Sequence, residues 1–364
     1  MRLVVTGGGT GGHVFPALET ALCGRDRGWE VQFYGASRGH EVSACEKAGM
    51  PLRVFDARPV YKPVSLKGLQ SILALLKATS AVLRAFDEDR PQVIFATGGF
   101  AAAPVMNAAR KRRLPLVIHE QNTVPGRTNL LLGRNAYAVC TAFHGTARHF
   151  RGANVQRTGM PVRRALRQSA QGRLSLEHGH GSASPVVLVM GGSQGSSALN
   201  DMALSTAVRM AKSEVQWLHV TGTSHFDVTH DSLQRMAVRS DYQVRAYLDS
   251  DEMAAALFEC SLAWCRSGAG TLAELAAFRK PSLLVPYPHA FGDHQRHNAL
   301  EFVAMGAAEM VGQGDMNPAQ VEARILSWLM DTDRRVAAAK ALADWDVPDA
   351  VERILSIIEK AAAH

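Results

Sequence analysis

The sequence predicts an α/β protein made of two Rossmann-like domains in tandem, and three observations carry that expectation. A buried, β-branched strand, Arg2-Leu-Val-Val-Thr6, runs into Gly7-Gly-Gly-Thr-Gly-Gly12 and then into helix-compatible sequence, Ala17 to Arg27. The same grammar restarts about 185 residues later: strand Pro185-Val-Val-Leu-Val-Met190, loop Gly191-Gly-Ser-Gln-Gly195, helix Ser196 to Lys212. A chain of 364 residues also exceeds one ordinary core and suits two domains of roughly 150–200 residues.

Further strands are expected at 30–35, 92–96, 115–119 and 136–140 in the first half, and near 215–220, 242–246, 261–265 and 281–285 in the second. Strands alternating with helices through short connections imply parallel sheets covered on both faces. The expected division is a first domain over 1–165, a linker over 166–184, a second domain over 185–345 and a final helical segment, 346–364, that is a candidate to cross back to the first domain. The linker is polar and Gly/Ser-rich, and its run His178-Gly-His-Gly181 reads as solvated chain rather than a metal site. Beyond about 316 helical periodicity replaces the sheet pattern.

Composition narrows the function classes. Five cysteines (23, 45, 140, 260 and 265), odd in number and without a CxxC pair, suit reduced thiols in a cytosolic protein and argue against a disulfide framework or a zinc site. No signal-peptide layout and no apolar run of about 18 residues is expected. Net charge is divided unevenly: residues 1–165 carry 23 Lys and Arg against 10 Asp and Glu, whereas residues 166–364 carry 17 against 23. The basic half points to an anionic membrane surface or a phosphorylated acceptor. Basic residues are not interleaved with aromatics, so nucleic acid ranks last. Residues Leu66 to Phe86 place apolar side chains over an arc of about 200°, wider than the roughly 100° a core-facing helix needs. Lys62, Lys67, Lys77 and Arg84 edge it, so two readings stand: a helix buried between neighbours, or a surface dipping into lipid.

Four glycine turns fall at strand C-terminal ends, the edge where ligands bind in open α/β sheets: 7–12, Gly98-Gly99, 191–195, and Gly268-Ala-Gly270. Two such edges facing across a cleft would make a two-substrate site. Their exposed amides and the helices they open favour a phosphate-bearing ligand. Gly7-x-Gly9-x-x-Gly12 matches the dinucleotide fingerprint formally, yet the second strand ends Tyr34-Gly-Ala-Ser37 with no acid for a ribose. No glycine loop is followed by Gly-Lys-Ser/Thr, which removes P-loop chemistry.

Gly8-Gly-Thr-Gly-Gly-His13, His119-Glu-Gln-Asn122, Gly191-Gly-Ser-Gln-Gly195, Cys265-Arg-Ser-Gly-Ala269 and Asp293-His-Gln295 with Asn298 occur together and in order. This set resembles the MurG family of UDP-N-acetylglucosamine-dependent transferases, from residue 2 to about 358. Phe100, where the family commonly has tyrosine, and Met160, where it has asparagine, depart from the pattern. The resemblance implies the GT-B fold, two Rossmann-like domains facing each other across a cleft. It also implies inverting transfer of GlcNAc from UDP-GlcNAc to the C4 hydroxyl of undecaprenyl-pyrophosphoryl-MurNAc-pentapeptide, at the cytoplasmic side of the bacterial plasma membrane. Implied partners are the two substrates, the anionic membrane surface and other cell-wall synthesis proteins. Another UDP-GlcNAc user of the same fold, such as a 2-epimerase or a different glycolipid transferase, is the runner-up; a non-catalytic UDP-sugar sensor is the reading outside enzymes.

Within that frame His13 and Glu120 are the candidate bases, with Glu120 alternatively holding its own loop. A helix end at His13 would keep the imidazole neutral. The donor is assigned Thr10, Gly11, Gly12, Asn122, Arg163, Ser193, Gln194, Leu248, Ser267, Ala269, Thr271, Glu274, His294, Gln295 and Asn298. Within that set, Leu248 would offer its backbone to uracil, Glu274 would take the ribose hydroxyls and His294, Gln295 and Asn298 the sugar. The acceptor is assigned Gly8, Gly9, Gly98, Gly99, Phe100, His119, Gln121 and Asn129. No cofactor or metal is expected: the four Asp-x-Asp triplets, beginning at Asp87, Asp249, Asp331 and Asp344, read as ordinary helix caps and turns.

Overall fold

The computed structural model describes all residues except 38, 60–64, 176–183, 193 and 237–240. The chain separates into two compact units, Met1–Arg163 with Asp349–His364, and Arg164–Pro348.

Unit 1 opens with β1 (Arg2–Gly7), α1 (Gly11–Asp26), β2 (Glu30–Ala36), α2 (Glu41–Lys47) and β3 (Leu52–Phe55). It continues through α3 (Leu66–Asp89), β4 (Val93–Gly98), α4 (Ala102–Arg112), β5 (Leu116–Glu120), α5 (Arg127–Gly133), β6 (Ala138–Thr141) and β7 (Val155–Arg157). The strands form one parallel sheet in the order β3-β2-β1-β4-β5-β6-β7. Unit 2 comprises α6 (Arg164–Ser175), β8 (Val186–Met190), α7 (Ser197–Arg209), β9 (Gln216–Val220), α8 (Phe226–Arg235) and β10 (Tyr242–Arg245). Next come α9 (Ser250–Glu259), β11 (Leu262–Cys265), α10 (Ala269–Ala277), β12 (Ser282–Leu284), α11 (His294–Ala304) and β13 (Ala308–Met310). Two helices, α12 (Pro318–Met330) and α13 (Thr332–Trp345), complete it. Its parallel sheet runs β10-β9-β8-β11-β12-β13.

Both sheets reverse direction of winding beside their first strand, between β1 and β4 and between β8 and β11. The turns leaving those four strands are the four glycine turns. Side chains alternate across the first sheet with period two. Leu3 and Val5 face one layer with Phe33 and Phe95, while Val4 faces the other with Ile94 and the Val82 and Phe86 of α3. The final helix, α14 (Ala350–Ala362), buries Ile354, Leu355, Ile357 and Ile358, and packs in the first of those layers. It therefore belongs to the core of unit 1.

Three strands escaped the sequence reading: β3, β7 and β13. Each is three or four residues long and lies at a sheet edge, half solvated, so none presents a continuous apolar run. The expected linker is also corrected. Residues 166–175 continue α6, whose Leu166 and Ala170 are buried and whose Arg167 forms a two-pronged ion pair with Asp346. The remaining linker residues, with His178 and His180, lie outside the described residues except Ser184.

The expectation of no spanning-length apolar helix needs amending too. Residues 67–89 meet the length and mean hydropathy of a spanning helix. Ala78, Val82, Ala85 and Phe86 are nevertheless buried in the core, so this helix cannot both cross a bilayer and complete the fold. Its other face exposes Leu69, Leu73 and Leu76, with Lys67 and Lys77 also at the surface. One face is thus buried as the first reading expects, and the other is an exposed apolar face edged by lysines. The side chain of Leu66 and the whole of Lys62 lie outside the described residues.

Candidate functional site

In unit 1 the site grows from the β1–α1 turn. Thr10 is the N-cap of α1, extended and exposed, with no capping bond from its side chain, and His13 lies in the first helical turn. The His13 Nδ1 approaches the Thr97 carbonyl at 2.9 Å and the Gln121 Oε1 at 3.0 Å. A carbonyl oxygen only accepts, so Nδ1 carries the hydrogen and Nε2 keeps its lone pair. Nε2 has no hydrogen-bond partner among the described residues. The His13 pKa is lowered, chiefly by burial; the Thr97 and Gln121 bonds and the Glu41 charge pull it back up. Burial thus has the role expected of the helix end.

Behind His13 the orientation of each group fixes the next. His119 Nε2–H donates to the Gly159 carbonyl at 2.8 Å, leaving Nδ1 to accept from Gln121 Nε2 at 3.2 Å. Gln121 Nε2 also donates to the His119 carbonyl at 2.9 Å, so its Oε1 must face His13. Burial pushes His119 down to about 4, and it stays neutral.

Glu120 is placed to hold its own loop. It is fully buried; Oε1 accepts from the Asn122 backbone at 2.9 Å, and Oε2 from the Gly126 backbone at 3.0 Å and Asn129 Nδ2 at 2.9 Å. Burial raises its pKa and those bonds lower it. The carboxylate ties down the 121–126 turn instead of facing solvent. His119, Gln121 and Asn129, assigned to the acceptor, are likewise buried and support the site from behind. The groups left accessible are Gly9, Thr10, Gly12, His13, Gly99, Phe100 and Asn122, while Gly8, Gly11 and Gly98 are covered. The Phe100 ring packs on Gly9, where an added Cβ would come within 2.5 Å of it.

The sequence reading missed Glu41. This carboxylate is fully buried at the start of α2; Oε1 accepts from the Gly9 backbone at 3.0 Å and Oε2 has no partner among the described residues. A Cβ at Gly8 or Gly39 would lie 1.7 or 2.1 Å from its oxygens, which is why both positions are glycine.

In unit 2 the matching turn, 191–196, ends at Ser196, the N-cap of α7. Gln194 is exposed, and Ser193 lies outside the described residues. Ser267 and Asn298 are fully buried and join two turns: Ser267 Oγ donates to the Gln295 carbonyl at 2.8 Å and Asn298 Nδ2 to the Ser267 carbonyl at 3.3 Å. These bonds tie the turn that opens α10 to the start of α11. Gln295 Oε1 accepts from the Tyr287 backbone at 3.0 Å, and His294 Nδ1–H donates to the Phe291 carbonyl at 2.8 Å. Gln295, His294, Thr271 and Glu274 are half-exposed, Ala269 opens α10, and Leu248 is buried with its backbone in the turn after β10. Arg163 is half-buried as the last residue of the first segment of unit 1. Met160, the departure from the family pattern, is a buried apolar residue in the turn before it.

The Asp-x-Asp triplets divide. Asp249 and Asp331 cap α9 and α13 as expected. Asp89 instead accepts from Tyr34 and Arg53, and Asp346 from Arg167.

Comparison with known proteins bears on both halves. Residues 3–141 match the glycosyltransferase family 28 N-terminal domain and residues 186–354 the glycosyltransferase family 28 C-terminal domain. The UDP-N-acetylglucosamine--N-acetylmuramyl-(pentapeptide) pyrophosphoryl-undecaprenol N-acetylglucosamine transferase of Syntrophotalea carbinolica is 36% identical over 98% of each chain, and that of Exiguobacterium sp. 32% identical over 99% of each. The crystal structure of Acinetobacter baumannii MurG matches with a TM-score of 0.80 and 27% identity over 99% of each chain. The spinosyn forosaminyltransferase SpnP, at 15% identity and TM-score 0.72 over both full chains, shares the fold alone. Both domain matches and the full-length relatives agree: the chain belongs to glycosyltransferase family 28, and within it to the MurG family.

Proposed function

We propose that this glycosyltransferase moves GlcNAc from UDP-GlcNAc to the C4 hydroxyl of undecaprenyl-pyrophosphoryl-MurNAc-pentapeptide, with inversion at the anomeric carbon. The observation that carries the chemistry is His13, whose proton sits on Nδ1 and whose Nε2 lone pair lies at the first glycine turn. In this reading Nε2 takes the hydroxyl proton as the C4 oxygen attacks the anomeric carbon. The bond from that carbon to the diphosphate breaks, and UDP leaves with the electron pair. General-base assistance of this kind contributes about 10²–10⁴ in rate. Glycine-turn amides and the N-termini of α7 and α10 meet the diphosphate charge, without a metal. Thr271, Glu274, His294 and Gln295 offer the accessible polar groups for ribose and sugar.

The lipid acceptor also calls for a membrane-facing surface. The Leu69, Leu73 and Leu76 stripe beside Lys67 and Lys77 suits peripheral attachment to the anionic cytoplasmic leaflet.

Transfer of labelled GlcNAc to a lipid-pyrophosphoryl-MurNAc acceptor tests the assignment. The unaltered chain should form product only when acceptor is present, and His13→Ala should lose about 10²–10⁴ in kcat at saturating donor. Acceptor-independent turnover would point to an epimerase, and wild-type turnover by His13→Ala would remove His13 as the base.

A further inference from the structure

Arg266, the first residue after β11, is 7% exposed and carries a full positive charge into the floor of unit 2. Its guanidinium donates from Nη1 to the Val285 and Pro286 carbonyls at 3.1 and 3.2 Å. From Nη2 it donates to Ser196 Oγ at 2.7 Å and Gln313 Oε1 at 2.6 Å. The Tyr287 ring lies 5.6 Å from it. Every one of these partners is neutral. No carboxylate pairs with Arg266 among the described residues, whereas Arg167, the other well-covered arginine of the unit, holds Asp346 with both prongs.

A buried cation without a counter-ion is costly, and a fold keeps one where an anion completes it. The position names the anion. Ser196 caps the helix that follows the 191–195 glycine turn, and the Arg266 backbone N–H bonds the Met190 carbonyl at the end of β8. The guanidinium therefore stands at the switch point of this sheet, under both turns that open α7 and α10.

We propose that Arg266 is the resident counter-charge of the donor site, a positioning residue that clamps the two glycine turns and makes unit 2 selective for a nucleoside diphosphate over the uncharged nucleoside. This rests on the donor being held by unit 2. The residue acts through the turns it fixes and through its field, and needs no contact with the phosphates.

Gln313→Glu tests this while leaving Arg266 and its hydrogen bond in place. It supplies the missing carboxylate at the 2.6 Å contact, so the fold should be as stable or more so. Titration of the full chain with UDP, UMP and uridine should then show UDP affinity reduced roughly tenfold or more, UMP less, and uridine unchanged. Arg266→Lys, which keeps the charge but not the four-bond fork, should retain most of the preference for UDP over uridine. Equal affinities for UDP in Gln313→Glu and the unaltered chain would overturn the proposal, as would parallel losses of UDP and uridine. If the unaltered chain binds neither UDP nor uridine, the donor assignment itself falls, a result distinct from loss of selectivity alone.

Discussion

The hydrogen on His13 sits on Nδ1 because both partners there present oxygens, and neither oxygen can take that hydrogen away. Proton uptake at Nε2 therefore creates a cation whose stability depends on nearby charge. The buried Glu41 raises the His13 pKa, against the larger effect of burial. Glu41→Gln can still accept from Gly9 but loses the charge, so the acid limb of the kcat/KM profile should move to lower pH. Gln121→Glu puts a carboxylate where Oε1 now lies, 3.0 Å from Nδ1, and should move that limb to higher pH by about one unit or more. Shifts of the same sign in both variants would disprove this account. A second pH effect concerns stability. Burial holds His119 near 4 and His219, wedged between Asn200 and Tyr242, near 3, both well below the ordinary imidazole value of about 6.5. As pH falls below about 6.5 the unfolded chain takes up these two protons and the folded chain does not. Stability is thus complete above that pH and lost toward pH 4, and denaturation midpoints should decline through pH 7.5, 6 and 5. Midpoints independent of pH over that range would contradict it. His13 was readable as a site residue because a lone histidine follows a glycine loop. Glu41 and Arg266 were not, because burial without a counter-charge is a property of packing that no local pattern encodes.

Among the elements, α3 shows why a wide apolar arc is ambiguous. One face completes the sheet layer with Val82 and Phe86, and the other leaves Leu69, Leu73 and Leu76 exposed. Leu73→Glu should change stability by no more than about 0.5 kcal/mol, since that side chain is 59% exposed. The same change should reduce flotation with anionic liposomes, and Lys67→Glu with Lys77→Glu should do so further. Undiminished flotation in both variants would exclude this face as the attachment surface. The central strands and their glycine turns were legible because continuous β-branched runs ending in glycine have few other solutions. The edge strands β3, β7 and β13 were not, since half-solvated strands of three or four residues resemble loops. Helix α6 was hidden for a different reason. Leu166 and Ala170 alone are buried among its described side chains, so a polar stretch read as linker.

At the scale of the molecule the two units share a winding pattern and differ in the charge set behind their first glycine turn. Unit 1 keeps a carboxylate there, Glu41, and unit 2 a guanidinium, Arg266. The first turn alone suggested an anion site, yet its backbone faces a buried negative charge, which disfavours a diphosphate at Gly9. That contrast runs opposite to the division of basic first half and acidic second half, because surface charge and buried charge serve different ends. Surface charge gathers partners over a Debye length, and buried charge sorts them on contact.

Unit 2 is continuous in sequence, but unit 1 is closed by residues that follow unit 2 in the chain. While the chain is being synthesised, the layer of Leu3, Val5, Phe33 and Phe95 lacks the helix that covers it in the finished protein. The order of synthesis and the order of completion are therefore reversed for the two units: unit 1 is begun before unit 2 and completed after it. A nascent chain stalled after Pro348 should present a protease-resistant 164–348 fragment and a labile N-terminal half that engages holdase chaperones. Limited proteolysis of such stalled chains, with resistance appearing in residues 1–163 only when 349–364 are supplied, would establish that sequence of events. Equal resistance of both halves before then would show that the first sheet closes without its last helix.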